Sequence, residues 1–172
     1  MFKDIHFFKA KALARKLARN EVSEILALWH FMLQAIILGT TITFTLSIEC
    51  GEQEGYSMLI ALLGFTISGV ITYWGLSSLF KVNSNIDGEN FFIRYAALSL
   101  PSGMQVFIVM LVLAAFFGLT AGTAITFLGN EIPVTAWLVA AEFLHCLMVF
   151  LFFKIMLSSY QEIYIQKKND AN

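Results

Sequence analysis

Charge is scarce in this chain, with only 13% of its 172 residues being Asp, Glu, Lys or Arg, while 58% are hydrophobic. A water-soluble domain of this size could not cover so much apolar surface with so few charges. Proline occurs twice and cysteine twice. The first count leaves long segments free to be helical, and the second rules out a disulfide-built scaffold. Neither Cys50 nor Cys146 belongs to a C-x-x-C pair, so membrane thiol redox chemistry has no starting point. Glu49 precedes Cys50 where a lipoprotein box needs a small residue. There is no Gly-rich phosphate loop, HExxH or serine elbow. No enzyme activity and no cofactor is therefore expected.

What charge there is has a pattern. All 11 Lys and Arg residues fall within residues 1–24, 81–94 and 154–168, and the two short turns between the other apolar stretches carry only acid: Glu49, Glu52 and Glu54 in one, Glu131 in the other. Basic segments are retained on the cytoplasmic side during insertion. The sequence thus predicts an all-α integral membrane protein, a four-transmembrane-helix bundle with both termini inside. Its location is expected to be the plasma membrane, or the inner membrane of a bacterium.

A hydrocarbon layer about 30 Å thick needs roughly 20 apolar residues per helix. The predicted spans are 25–48, 56–80, 101–123 and 134–157, forming a membrane domain over 25–157 between a cytosolic helix in 1–24 and a cytosolic tail in 158–172. The first apolar run is too long for a signal-peptide core, follows a mixed charged segment and lacks a small-x-small cleavage site. Trp29, Trp74 and Trp137 suit headgroup layers. The third apolar stretch is too long for one straight crossing, so a short interfacial helix is predicted at Glu89–Ser99. Phe91, Phe92, Arg94 and Tyr95 would then lie along the inner surface, with the span starting at Pro101, which disfavours helix in the residue before it.

Small residues mark close helix contacts. Gly64, Ser68 and Thr72 recur at four-residue spacing, and Gly118 with Gly122 forms a GxxxG. Such a stripe does not say whether its partner lies in the same chain. Two of them exceed what one four-helix chain needs, and a homo-oligomer is expected.

The N-terminal segment has a separate character. At 100° per residue, Lys9, Arg15, Lys16 and Arg19 cluster on one side of a helix, with Phe7, Ala10, Leu13, Ala14 and Leu17 on another. This basic amphipathic helix reads first as one lying in the plane of an anionic lipid surface, and second as a docking surface for a cytosolic protein. A net charge of −1 argues against nucleic acid as the main ligand.

Chemistry inside the bilayer is confined to a few polar side chains. Gln34, Ser68, Gln105, Glu142 and His145 are expected to share a middle band, with Glu142 and His145 three apart on one face. An intramembrane acid is a functional candidate by default. Three readings stay open: a structural hydrogen-bond cluster holding neutral Glu142, a proton or ion pathway, and a metal or substrate site. Glu142-x-x-His145 is half a di-iron motif whose other half is missing. His30 and His145 differ in depth by about 9 Å, which strains axial ligation of one haem. The expected function is an oligomeric membrane subunit that recruits or responds to a cytosolic partner in a signalling or defence complex, with an ion or proton pathway as an output. The alternative is a small proton-coupled transporter using the Glu142/His145 pair.

Overall fold

The computed structural model describes residues 8–48, 54–128 and 134–170, and all five of its regular elements are α-helices. They are α1 (Ala10–Ala18), α2 (Glu24–Ile48), α3 (Glu54–Ile86), α4 (Phe91–Leu128) and α5 (Val134–Asp170). No strand occurs among the described residues. Three helical stretches, Leu59–Ile86, Phe91–Leu113 and Val139–Asp170, are long and apolar enough to cross a membrane, which makes this a helical membrane protein. In α2 the corresponding apolar stretch is Glu24–Ile36.

The sequence explains where the shorter connections fall. α1 ends in a left-handed Asn20 (φ 56), and the Glu21 and Asn20 N–H groups donate to the carbonyls of Lys16 and Leu17, closing the helix end. Two residues later Ser23 Oγ accepts the Leu26 N–H at 3.3 Å and starts α2. At the end of α3 the Asn83 carbonyl accepts from both Asp87 and Gly88, and Gly88 takes φ 72, where a side chain would be strained.

Two helix pairs build the bundle: α5 runs along α3, and α2 along α4, while α4 and α5 join the pairs and α1 lies across both of them. The α3–α5 seam is parallel and in register. Glu142 of α5 occupies the space beside Gly64 of α3, and eleven residues farther along each helix Phe153 fills the space beside Gly75. Eleven residues are about three helical turns, so both contacts lie on one stripe.

The helices are longer than a bilayer requires. At 1.5 Å per residue the 33, 38 and 37 residues of α3, α4 and α5 span roughly 50–57 Å, against a hydrocarbon thickness of about 30 Å. The buried core is gathered toward one end of the bundle. Leu13, Ala14 and Leu17 of α1, Ala27 of α2, Leu79 of α3, Ala97 and Leu98 of α4 and Met156, Tyr160 and Ile163 of α5 bury one another at the end where α1 docks. Farther along, Leu62, Phe65, Val70, Val112 and Phe143 face outward, as side chains in contact with lipid do.

Three expectations are corrected here. No separate interfacial helix precedes Pro101, because α4 continues through it. Loss of one backbone donor costs on the order of 3 kcal/mol, and burial of Ala97, Leu98, Leu100 and Pro101 itself offsets it at about 1.5–3 kcal/mol per large apolar side chain. Nor does Arg94 lie on a membrane surface: it is 1% exposed. The apolar face of α1, likewise, is not turned toward lipid. Ala10, Leu13, Ala14, Leu17 and Ala18 are buried against α5 and α4, whose apolar surface at this level gives them protein to cover.

Candidate functional site

The polar side chains singled out in the sequence are divided between two seams and the α1 junction. Glu142 is half-buried in the groove that Gly64 leaves in α3, and Cys146, one turn on, points its Sγ at the Gly64 carbonyl at 3.7 Å. Ser68 is buried on the same stripe and returns its hydroxyl to the Phe65 carbonyl at 2.9 Å. Thr72 is half-buried. His145 is exposed on the outside of α5, and it makes no hydrogen bond or ion pair with Glu142. Three residues along a helix bring two side chains only roughly onto one face, and here the groove takes the first and leaves the second outside.

Gln34 belongs to the other seam. Its carboxamide lies against Gly103 of α4, in space that any side chain at 103 would occupy. His30, one turn earlier on α2, is fully buried, as is Ser102 beside Gly103. The Oε1 of Gln34 and the Oγ of Ser102 have no hydrogen-bond partner in the protein. Buried polar atoms of this kind are ordinarily satisfied by water where there is room for it.

Gln105 joins neither seam. Its Nε2 donates to the carbonyl of Phe8 at 2.6 Å and ties α4 to the entry of α1. Gln105 therefore stands level with Ile155, Ser158 and Ser159, while Glu142 lies more than three turns away along α5.

One polar centre went unread in the sequence. Arg94 donates through Nη1 to Asn83 Oδ1 (2.7 Å), Asp87 Oδ1 (2.7 Å) and the Glu89 carbonyl (3.0 Å), and through Nη2 to Asp87 Oδ2 (2.6 Å). Lys167, from the end of α5, closes on the same carboxylate. Tyr160 donates to the Phe91 carbonyl at 3.1 Å and seals the base. The Arg94 hydrogen bonds hold the Asp87 carboxyl well below the usual carboxylate range, against a smaller opposing effect of burial, with Lys167 adding to the depression. These contacts join α3, α4 and α5, so the centre is built to fix geometry. The available signal was Asn83 and Asp87 at helical spacing ahead of a Gly-Glu-Asn turn.

The basic residues of α1 remain on the surface. Lys9, Lys11, Arg15, Lys16 and Arg19 are all exposed, and Arg15 Nε pairs with Glu162 Oε1 of α5 at 2.7 Å. An ion pair this open contributes at most about 1 kcal/mol; it aligns α1 more than it holds it. Gly118 and Gly122 fall in α4, but their surroundings, like Glu52 and Glu131, lie outside the described residues. Among the described residues no group of three His, Cys, Asp or Glu side chains converges on a point where a metal ion would sit. No family model, curated protein or solved structure matches the chain.

Proposed function

We propose that this protein is a four-span membrane subunit, with both termini in the cytosol, whose projecting helical end presents a basic surface to an acidic cytosolic protein partner. The observation that carries the reading is the burial of α1's apolar face. A helix that lies in a lipid surface must spend that face on lipid. Here Leu13 and Leu17 are used up within the protein, at 0% and 5% exposure, and the charged side is what α1 offers. Counting about 20 residues inward from the outer ends of α3 and α5 brings the membrane boundary to Trp74 and Lys154. Those two side chains touch, with the Lys154 ammonium 5.8 Å from the Trp74 ring, an arrangement suited to a headgroup layer.

Photo-crosslinking from residue 19 in native membranes tests the proposal. A discrete protein adduct that disappears on Lys16→Glu/Arg19→Glu supports it, and adducts with lipid alone would sink it.

Self-association through Gly118 and Gly122 belongs to the same reading, since the Gly64/Ser68 stripe is consumed by α5. The transporter alternative depends on Glu142 and His145 acting as a pair. It draws no support from their placement; an ion pathway would draw more on the unpartnered Gln34 and Ser102 groups.

A further inference from the structure

A pocket of about 440 Å³ opens where α1 begins, between α4 and α5. Its polar rim is formed by Lys9, Lys11, Gln105, Ser158 and Ser159, and Ile155 with Phe8, Ala10 and Ala12 supplies an apolar wall. Among the described residues no carboxylate lines it, whereas two exposed lysines do. Lys9 occupies the N-cap position of α1 with no side-chain cap, which leaves the first amides of that helix without an acceptor from it.

Depth identifies the occupant. Ile155 directly follows Lys154, whose ammonium sits over the rings of Trp74 and Phe150 at 5.8 and 5.5 Å. The pocket therefore lies within one turn of the proposed inner boundary, on its cytosolic side, at the depth of lipid phosphates. Phe8, 49% exposed, extends the apolar wall outward. A cationic rim beside an apolar wall matches a phosphodiester that still carries its glycerol and the first carbons of its acyl chains. Free phosphate would use only the rim.

We infer that this pocket binds the headgroup of an anionic phospholipid of the inner leaflet, held by Lys9 and Lys11 with hydrogen bonds from Ser158 and Gln105. The inference rests on the membrane topology proposed above. It assigns Lys9 and Lys11 to lipid and leaves Lys16 and Arg19 to the partner.

The test is native mass spectrometry of the purified full chain in detergent, titrated with phosphatidylglycerol or phosphatidylcholine of matched acyl chains. Expected is one tightly retained phosphatidylglycerol, at least tenfold preferred over phosphatidylcholine. Lys9→Gln/Lys11→Gln should lose that preference while Lys16→Gln/Arg19→Gln retains it. Equal losses in the two double variants would reduce the effect to general surface charge and overturn the site. Equal retention of both lipids by the wild type would overturn it without any variant. Displacement of the lipid by millimolar inorganic phosphate would reassign the pocket to free phosphate, which also overturns the inference. Failure of the topology has a different signature: a cysteine introduced at Ser84 would be labelled from outside intact cells by an impermeant thiol reagent.

Discussion

Arg94 grips both carboxylate oxygens of Asp87, at 2.7 and 2.6 Å, seven residues away across the α3–α4 turn. Arginine's planar fork suits this geometry, and a lysine in its place could offer only a point charge. Arg94→Leu should destabilise the protein by about 1–3 kcal/mol, because Asn83 Oδ1 loses its donor in a closed site while the Asp87 carboxylate keeps only Lys167 and the Glu89 N–H. Arg94→Lys should recover only part of this. Thermal unfolding in detergent, followed by circular dichroism, gives the comparison.

The same pair sets a pH dependence. Asp87 has a folded pKa depressed below its ordinary value of 3.8, so the folded state keeps the carboxylate where the unfolded chain would take up a proton. The resulting stability is fully present above the ordinary value and is lost as pH falls below it toward the folded value. Wild-type unfolding temperature should therefore drop between about pH 4 and the strongly acidic range. In Asp87→Asn the portion of that drop due to this group should be missing. Identical acid profiles for the two proteins would dissociate Asp87 from the effect.

Gly64 and Gly75 both lie under side chains of α5, but the side chains differ in freedom. A methyl at 64 meets the far end of Glu142, which can swing; a methyl at 75 meets the root of the Phe153 ring, which cannot without moving its helix. Gly75→Ala should cost about 1–3 kcal/mol as an overpacked contact, and Gly64→Ala clearly less. Paired unfolding measurements on the two variants decide this, with equal losses counting against the seam as described.

Glu142 is the remaining candidate for ion handling. Under that reading Glu142→Gln leaves expression intact and abolishes proton or ion flux in proteoliposomes. If the side chain only fills the Gly64 groove, Gln preserves behaviour and the flux of wild type and variant is the same. Full function in a well-folded Glu142→Leu protein would remove Glu142 from both accounts.

Leu13→Ala in α1 should destabilise by about 2–5 kcal/mol, as for a fully buried leucine. Lys16→Glu, on the exposed side of the same helix, should stay within about 0.5 kcal/mol of wild type. A Leu13→Ala protein as stable as wild type would show that α1 is not docked in solution.

The helical character and long apolar stretches were legible because composition and hydropathy are sums over many residues, insensitive to any one contact. The amphipathic pattern of α1 was legible too, but its partner was not. Periodicity shows that Leu13 and Leu17 share a face and says nothing of whether lipid or α5 covers it. Pro101 misled because a local backbone preference was weighed without the burial of residues 97–102 that outweighs it. Arg94 was assigned to the membrane surface for a related reason: its acceptors come from α3 and the turn after it, and a lone arginine in a charged connection looks solvated. The middle band of polar groups failed on depth. Counting inward from assumed span ends placed Gln105 by its own helix alone, whereas its bond to Phe8 fixes it at the end where α1 docks.

The contact between Arg15 and Glu162 joins positions 147 residues apart, and this has a consequence for biogenesis. Chains are made from the N-terminus at roughly 5–20 residues per second, so α1 leaves the ribosome well before the part of α5 that covers it exists. Throughout that interval Leu13 and Leu17 lack the larger, α5 part of their cover, although α2, α3 and α4 precede it. The core at the α1 end is therefore completed only once α5 has been made, and ribosome-bound chains stalled before residue 155 should expose α1 to protease more than chains that contain α5.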